Sequence, residues 1–292
     1  MENDFIEKKQ LSHIMKLKIY AIYDTLKTAE RKSADFILHN PESFFDFTIV
    51  EAAQAADSSE ATFVRLARKL GYSGYTSLKE AAAVAMDDSD TTMTGVEIND
   101  DDKPYDIVKK IFENSVQTLT DTLHVINQSA YEDALLAISK SRKIMLAGSG
   151  DAYVVAYSGY LRFLRLGLSA CCHQDYDLQL VELSSMQEGD ILLIVSHSGK
   201  TKTMLDLVKS AKVRKVTVIS ITNFPLSPLA KQSDIVLVTA AFDLIPSGEV
   251  ISKRIPELCL MESLYTNLLI QQKDVARKHW VAVEDLLSAN KT

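Results

Sequence analysis

Long apolar runs are missing from this sequence. No stretch approaches the roughly 18 consecutive apolar residues that a membrane span requires, and the start, MENDFIEKKQ, lacks the basic-then-apolar order of a signal peptide. Both absences lead to the expectation of a cytoplasmic chain with no membrane partner. Cysteine is scarce too: Cys171, Cys172 and Cys259 are odd in number and show neither a CxxC nor a Cys/His spacing. They read as reduced packing residues, which implies no disulfide framework, no metal site and no cofactor. Gly and Pro number only 10 and 6 in 292 residues, too few for extensive disorder.

Positive charge is also short, with a formal net charge of −7, and at first sight this argues against a nucleic-acid partner. The distribution reverses that reading. Residues 87–106 hold eight Asp/Glu against one Lys, which accounts for the whole −7 and leaves the rest of the chain balanced. Within residues 59–79, Arg65, Arg68, Lys69 and Lys79 face a single acid, Glu60, so a local basic face exists.

What the sequence does contain is enough apolar material, 47% of residues, for two cores in a chain about twice the usual domain length. Residues 1–86 show short amphipathic helical patterns and no alternating strand: one helix ends at Pro41, and others fit Thr48–Ala56, Ser59–Leu70 and Ser77–Met86. Residues 87–104 are acidic, nearly devoid of apolar side chains, and read as a linker. From Tyr105 a helix runs to about Asn127, and Ser129 is a candidate N-cap for the next. The period then changes. Apolar runs of strand length at Lys143–Ala147, Leu168–Cys172, Ile191–Val195, Val216–Ile221 and Ile235–Thr239 alternate with helical stretches, and residues 255–288 return to helix. Continuous apolar strands alternating with helices indicate a parallel sheet flanked by helices on both faces. The expected fold is therefore an all-α helix-turn-helix domain (1–86), an acidic linker (87–104) and an α/β domain (105–292).

The segment EAAQAADSSEATFVRLARKLGY has the form helix, polar turn, helix. Ser59 suits an N-cap, and Ala61, Val64, Leu66, Ala67 and Leu70 form the expected buried stripe, leaving Glu60, Thr62, Arg65, Arg68 and Lys69 on or beside the exposed face. Short hydroxyls and arginines so arranged can contact base edges and phosphates in a major groove. A plain solvated helix face is the alternative. TAERKSADFILHNP followed by SSEATFVRLARKLGYSGYTSLKE resembles the helix-turn-helix domain of the RpiR family of transcriptional regulators across almost all of residues 20–86. The resemblance implies that Ser59, Glu60, Thr62 and Arg65 lie on the recognition helix, with Arg68, Lys69 and Lys79 at phosphates of operator DNA. The sequence departs from the family pattern at Asp57 and Ser58, where Gly and an apolar residue are usual, and at Ala52, where Leu is common.

Two further loops follow apolar strands and open helices: LAGSGDAY (146–153) and LIVSHSGKTKT (193–203). They place Gly148, Ser149 and Gly150 at one helix start and Ser196, His197, Ser198, Gly199 and Thr201 at another, where unpaired N–H groups, the positive dipole end and hydroxyls suit an anion such as phosphate. A dinucleotide fingerprint would need Gly where Tyr153 stands, and a phosphate-binding Walker loop would need Gly at Ile194, so both nucleotide readings fail. The two loops, with SPLAKQSD further on, resemble the SIS (sugar isomerase) domain over about residues 105–275. That resemblance implies a phosphosugar held by Ser149, Ser196, Ser198 and Thr201, with Gly199 admitting the phosphate to the backbone and GEVISKRIPEL closing the sugar end, Glu257 foremost. Together the two resemblances imply a regulator of sugar metabolism genes, a homodimer or homotetramer, nucleoid-associated when bound to DNA and modulated by a sugar phosphate, with no catalytic residue. The alternatives are a phosphosugar isomerase or lyase with a vestigial helical domain, for which Glu249, Glu257, His173 and His197 are candidate proton carriers, and a chromosome-associated binder without an effector.

Overall fold

The computed structural model describes residues 11–82, 98–242, 249–271 and 273–288, and divides into two compact units, Met1–Thr94 and Gly95–Thr292. Among the described residues, the first holds six helices: α1 (His13–Tyr23), α2 (Thr28–His39), α3 (Pro41–Asp46), α4 (Ile49–Ala55), α5 (Glu60–Lys69) and α6 (Tyr75–Ala82). Pro41 both stops α2 and opens α3, where its missing N–H costs nothing. The core is aromatic. Tyr75 meets Phe44 and Phe63 edge-on, each at 5.6 Å, and Phe63 meets Phe36 at 6.3 Å, so four of the six helices share one cluster.

The second unit begins with α7 (Pro104–Val125) and α8 (Gln128–Lys140), then alternates β1 (Ile144–Gly148), α9 (Ala152–Arg165), β2 (Ala170–Cys172), α10 (Tyr176–Ser184), β3 (Ile191–Val195), α11 (Lys202–Val213), β4 (Thr217–Thr222), a 3-10 turn (Ala230–Gln232) and β5 (Ile235–Val238), and ends with α12 (Arg254–Gln271) and α13 (Lys273–Ser288). All strand pairs are parallel, in the order β2-β1-β3-β4-β5. Alternate residues feed two cores: Ile144, Leu146, Leu193, Val195, Ile219 and Ile221 pack with α8, α9 and α12, whereas Met145, Ala147, Leu192, Ile194 and Val218 pack with α10 and α11. This strand order has a consequence for binding. The chain leaves β1 toward β2 on one side and then crosses to β3 on the other, which opens a crevice at the carboxyl ends of β1 and β3.

Three expectations are corrected at element ends. Asn127, not Ser129, caps α8, its side chain accepting from the Ala130 N–H at 2.9 Å. The helix expected to start at Ser77 starts at Tyr75, and its expected end at Met86 lies outside the described residues, as does most of the acidic segment 87–104. The end of that segment is structured: Asp102 accepts from the Asn99 N–H and pairs with Lys110 of α7 at 2.6 Å.

Candidate functional site

The first candidate surface is the turn between α4 and α5. Asp57 stands at φ +47°, a left-handed position after a helix end that glycine fills without strain; its carboxylate pairs with Lys32. Ser58 places its hydroxyl 2.9 Å from that of the fully buried Ser33. Two of the three departures from the family pattern, Asp57 and Ser58, are thus accommodated by one tolerated backbone strain and one hydroxyl pair.

In α5, Ser59 caps the helix, accepting from the Thr62 N–H, and lies 2.8 Å from the Thr62 hydroxyl. Thr62 is buried, and its hydroxyl accepts from the Arg65 guanidinium at 2.9 Å, which corrects its expected place on the exposed face. The cause is Phe63. Its insertion into the aromatic cluster rotates the helix so that Ala61 is exposed and Val64 only half-buried, while Thr62, Phe63, Leu66 and Ala67 face inward. Ser59, Glu60, Arg65 and Arg68 remain exposed.

Two expected phosphate contacts are also committed elsewhere. Lys69 donates to the buried Glu30 at 2.6 Å; burial alone would raise that carboxyl, but Lys69, the Lys27 N–H and the field of Arg65 outweigh it and hold Glu30 below its usual range. Lys79 donates to the Phe47 carbonyl at 2.9 Å and lies over the Tyr75 ring. Both lysines stabilise the helical unit itself.

The second candidate site is the crevice between β1 and β3. Gly148 cannot carry a side chain there, since a Cβ would come within 2.7 Å of the Ala152 backbone, and Gly150 turns the chain at φ +60°. Ser149 and Gly150 are exposed at the start of α9. Across the crevice, the buried Ser196 hydroxyl lies 3.5 Å from that of Thr201, and Ser198 accepts from the Lys200 N–H. The loop is clamped from β4: the His197 carbonyl accepts from the Thr222 hydroxyl and the Asn223 N–H, and the Gly199 carbonyl accepts from the Leu229 N–H, each at 3.0 Å. The SPLAKQ segment therefore buttresses the loop from behind.

Beside these loops lies a charged network that the sequence reading missed. Asp151 pairs with Arg254 at 2.9 Å and Lys253 at 3.2 Å, and Arg254 also holds the fully buried Glu257. Asp151 is held below the usual carboxylate range, because the two cations outweigh the upward pull of its burial. Burial pushes Glu257 up to about 7, with Arg254 opposing. It pushes His197 down to about 4, assisted by Arg254 and Lys253. Among the described residues, four buried atoms here have no hydrogen-bond partner: both ring nitrogens of His197, Glu257 Oε1 and Arg254 Nε. A buried polar atom left unmatched calls for an explanation, and a bound polar group is one. The crevice thus combines hydroxyls, two helix starts, two cations and unmatched donors and acceptors, a chemistry suited to a phosphorylated polyol. Lys253 and Arg254 could have been noticed as adjacent cations ahead of a helix, but nothing local ties them to Asp151.

Comparison with known proteins agrees with both halves. The helix-turn-helix domain of the rpiR family matches residues 14–89, and the SIS domain matches residues 137–250. An HTH-type transcriptional regulator of Caldanaerobacter subterraneus subsp. tengcongensis is 31% identical over 85% of this chain and 88% of its own. The HTH-type transcriptional regulator RpiR of Escherichia coli K12 is 28% identical over 82% of each. The structure of the Vibrio vulnificus NanR protein complexed with ManNAc-6P is similar with a TM-score of 0.61, at 25% identity, over 95% of this chain and 100% of that one.

Proposed function

Because the chain belongs to the RpiR family of helix-turn-helix transcriptional regulators, we propose that it binds operator DNA through its first unit and that a phosphosugar in the second unit sets the affinity. Ser59, Glu60, Arg65 and Arg68 form the reading face. Ser149, Ser196, Ser198 and Thr201 hold the phosphate, Gly148, Gly150 and Gly199 give it access to the backbone, and His197, Arg254 and Glu257 meet the sugar. One observation carries the effector reading: the unmatched His197, Glu257 and Arg254 atoms converge where the loops offer an anion site. The relative complexed with ManNAc-6P supports the same ligand class.

Fluorescence anisotropy on DNA from the gene's own upstream region, with and without a panel of sugar 6-phosphates that includes ManNAc-6P, tests this. Arg65→Ala is expected to cost about 1–3 kcal/mol and to flatten discrimination among sequences, and Arg68→Ala to weaken all sequences evenly and lower the salt slope by about 1. Unchanged binding in both variants would remove α5 as the reading helix. Absence of any effect across the panel would leave a DNA binder without this effector class.

The buried Glu257, titrating near neutrality, favours a second reading, phosphosugar isomerisation or elimination with Glu257 as the base. Turnover of a panel member that disappears in Glu257→Gln would establish it; ligand binding without turnover sustains the regulator reading.

The same proposal includes self-association. Val154, Tyr157, Leu161 and Leu164 recur at helical spacing and stand exposed along α9, a stripe suited to a second copy, and a two-fold pair of reading heads matches a palindromic operator. Leu161→Glu is expected to shift the solution mass measured by light scattering to a smaller species, with circular dichroism unchanged. An unaltered mass would place the contact elsewhere.

A further inference from the structure

Strand β2 and helix α10 bring together three side chains that neither candidate site uses. Cys171 packs on the α10 side of the sheet, and the adjacent Cys172 packs on the opposite side, as strand alternation requires. His173 follows β2, and Glu182 reaches back from α10 with one carboxylate oxygen 3.2 Å from His173 Nε2 and the other paired with Lys143. The Cys171 thiol, a His173 ring nitrogen and a Glu182 oxygen all lie within 4.8 Å of one another. Their positions are fixed from outside the cluster: the buried Gln179, one turn before Glu182, donates to the His173 carbonyl at 2.7 Å, and Asp175 caps α10.

We propose that Cys171, His173 and Glu182 form a three-ligand site for a divalent transition metal of the zinc class, with the fourth position open to water. One thiolate, one imidazole and one carboxylate at mutual spacings that a tetrahedral centre can draw together suit zinc or cobalt; magnesium and calcium take oxygen ligands throughout. Lys143 keeps the second Glu182 oxygen and acts as the outer partner that orients it. The linear patterns by which such sites are recognised in a sequence do not include this spacing, because the third ligand arrives through the packing of α10 on the sheet.

Binding displaces the proton of the Cys171 thiol, since the thiolate is the metal ligand. Glu182 is held ionised, chiefly by Lys143, whereas burial and the facing Glu182 push the Cys171 thiol up to about 12, with Lys143 opposing and Cys172 adding to the rise. His173 also faces the thiol. Metal must therefore drive the thiol proton off near neutral pH, and affinity rises with pH.

The test uses the full chain, freed of metal with a chelator, kept reduced and titrated with Co²⁺ as the probe. One equivalent is expected to give thiolate-to-cobalt charge-transfer absorption with the visible bands of a tetrahedral centre, bleached by Zn²⁺. Cys171→Ser abolishes the charge-transfer band, His173→Gln weakens binding by more than the roughly 10–100-fold lost with an outer partner, and Cys172→Ser and Cys259→Ser leave the band intact. His173→Gln, at a half-exposed position, gives an independent reading should Cys171→Ser fail to fold. Absence of the band, or its persistence in Cys171→Ser, overturns the proposal.

Discussion

Alanine at position 199 is expected to abolish phosphosugar binding and to destabilise the second unit by about 2–5 kcal/mol, combining left-handed strain with overpacking. Gly199 sits at φ +60°, and a Cβ there would come within 2.6 Å of Ser227 Cβ, closer still to Ser227 Oγ, and within 3.2 Å of Thr222 Oγ1. None of these neighbours can yield cheaply. Ser227 is buried and its hydroxyl accepts from the Ala230 N–H at 3.2 Å, while Thr222 holds the His197 carbonyl. The collision would push the loop away from β4 and spread Ser196, Ser198 and Thr201. Urea denaturation and titration calorimetry with a panel member that the unmodified chain binds would measure both effects. Adding Ser227→Gly should restore the packing part of the stability and leave the backbone strain. A Gly199→Ala chain that binds normally and melts unchanged would contradict this account of the loop.

The second large effect is one of pH, and it is concealed in the unmodified chain. Glu257 is raised from 4.5 to about 7, so its contribution to stability is fully present below pH 4.5 and is lost as pH rises through about 7. His197 is lowered from 6.5 to about 4; its contribution is fully present above pH 6.5 and is lost as pH falls through about 4. Over the shared interval the slopes oppose and nearly cancel. Each single variant should uncover the other: in His197→Gln stability falls by about 3 kcal/mol from pH 4.5 to 7, and in Glu257→Gln it rises by a similar amount from pH 4 to 6.5. Denaturant midpoints across that range measure both. Slopes of the same sign in the two variants would show that the groups do not titrate as their burial dictates.

Much of this architecture is legible in the sequence because it is periodic. The five strands are continuous apolar runs bounded by turn residues, and each is found within about two residues of its expected place. The anion loops are legible for a different reason, the density of Gly and hydroxyl residues at strand ends. The phase of α5 is not, because Ala61, Thr62 and Val64 tolerate either face and the decision belongs to Phe63, whose partners Phe36 and Tyr75 come from α2 and α6. The commitments of Lys69 and Lys79 are hidden likewise, since Glu30 and the Phe47 carbonyl lie 39 and 32 residues away. Asp151, Lys253 and Arg254 are the extreme case.

That last separation gives the chain a history as well as a shape. The described helices of the first unit all lie at or before Ala82, and Arg254, which joins the loop after β1 to the buried Glu257, follows that residue by 172. At about 5–20 residues per second, with domains folding in order from the N-terminus, the reading head leaves the ribosome on the order of 10–30 s before the effector pocket can close. On the proposed function, the residues of the reading face are therefore made well before those of the effector pocket, which is completed only as the last helices are made.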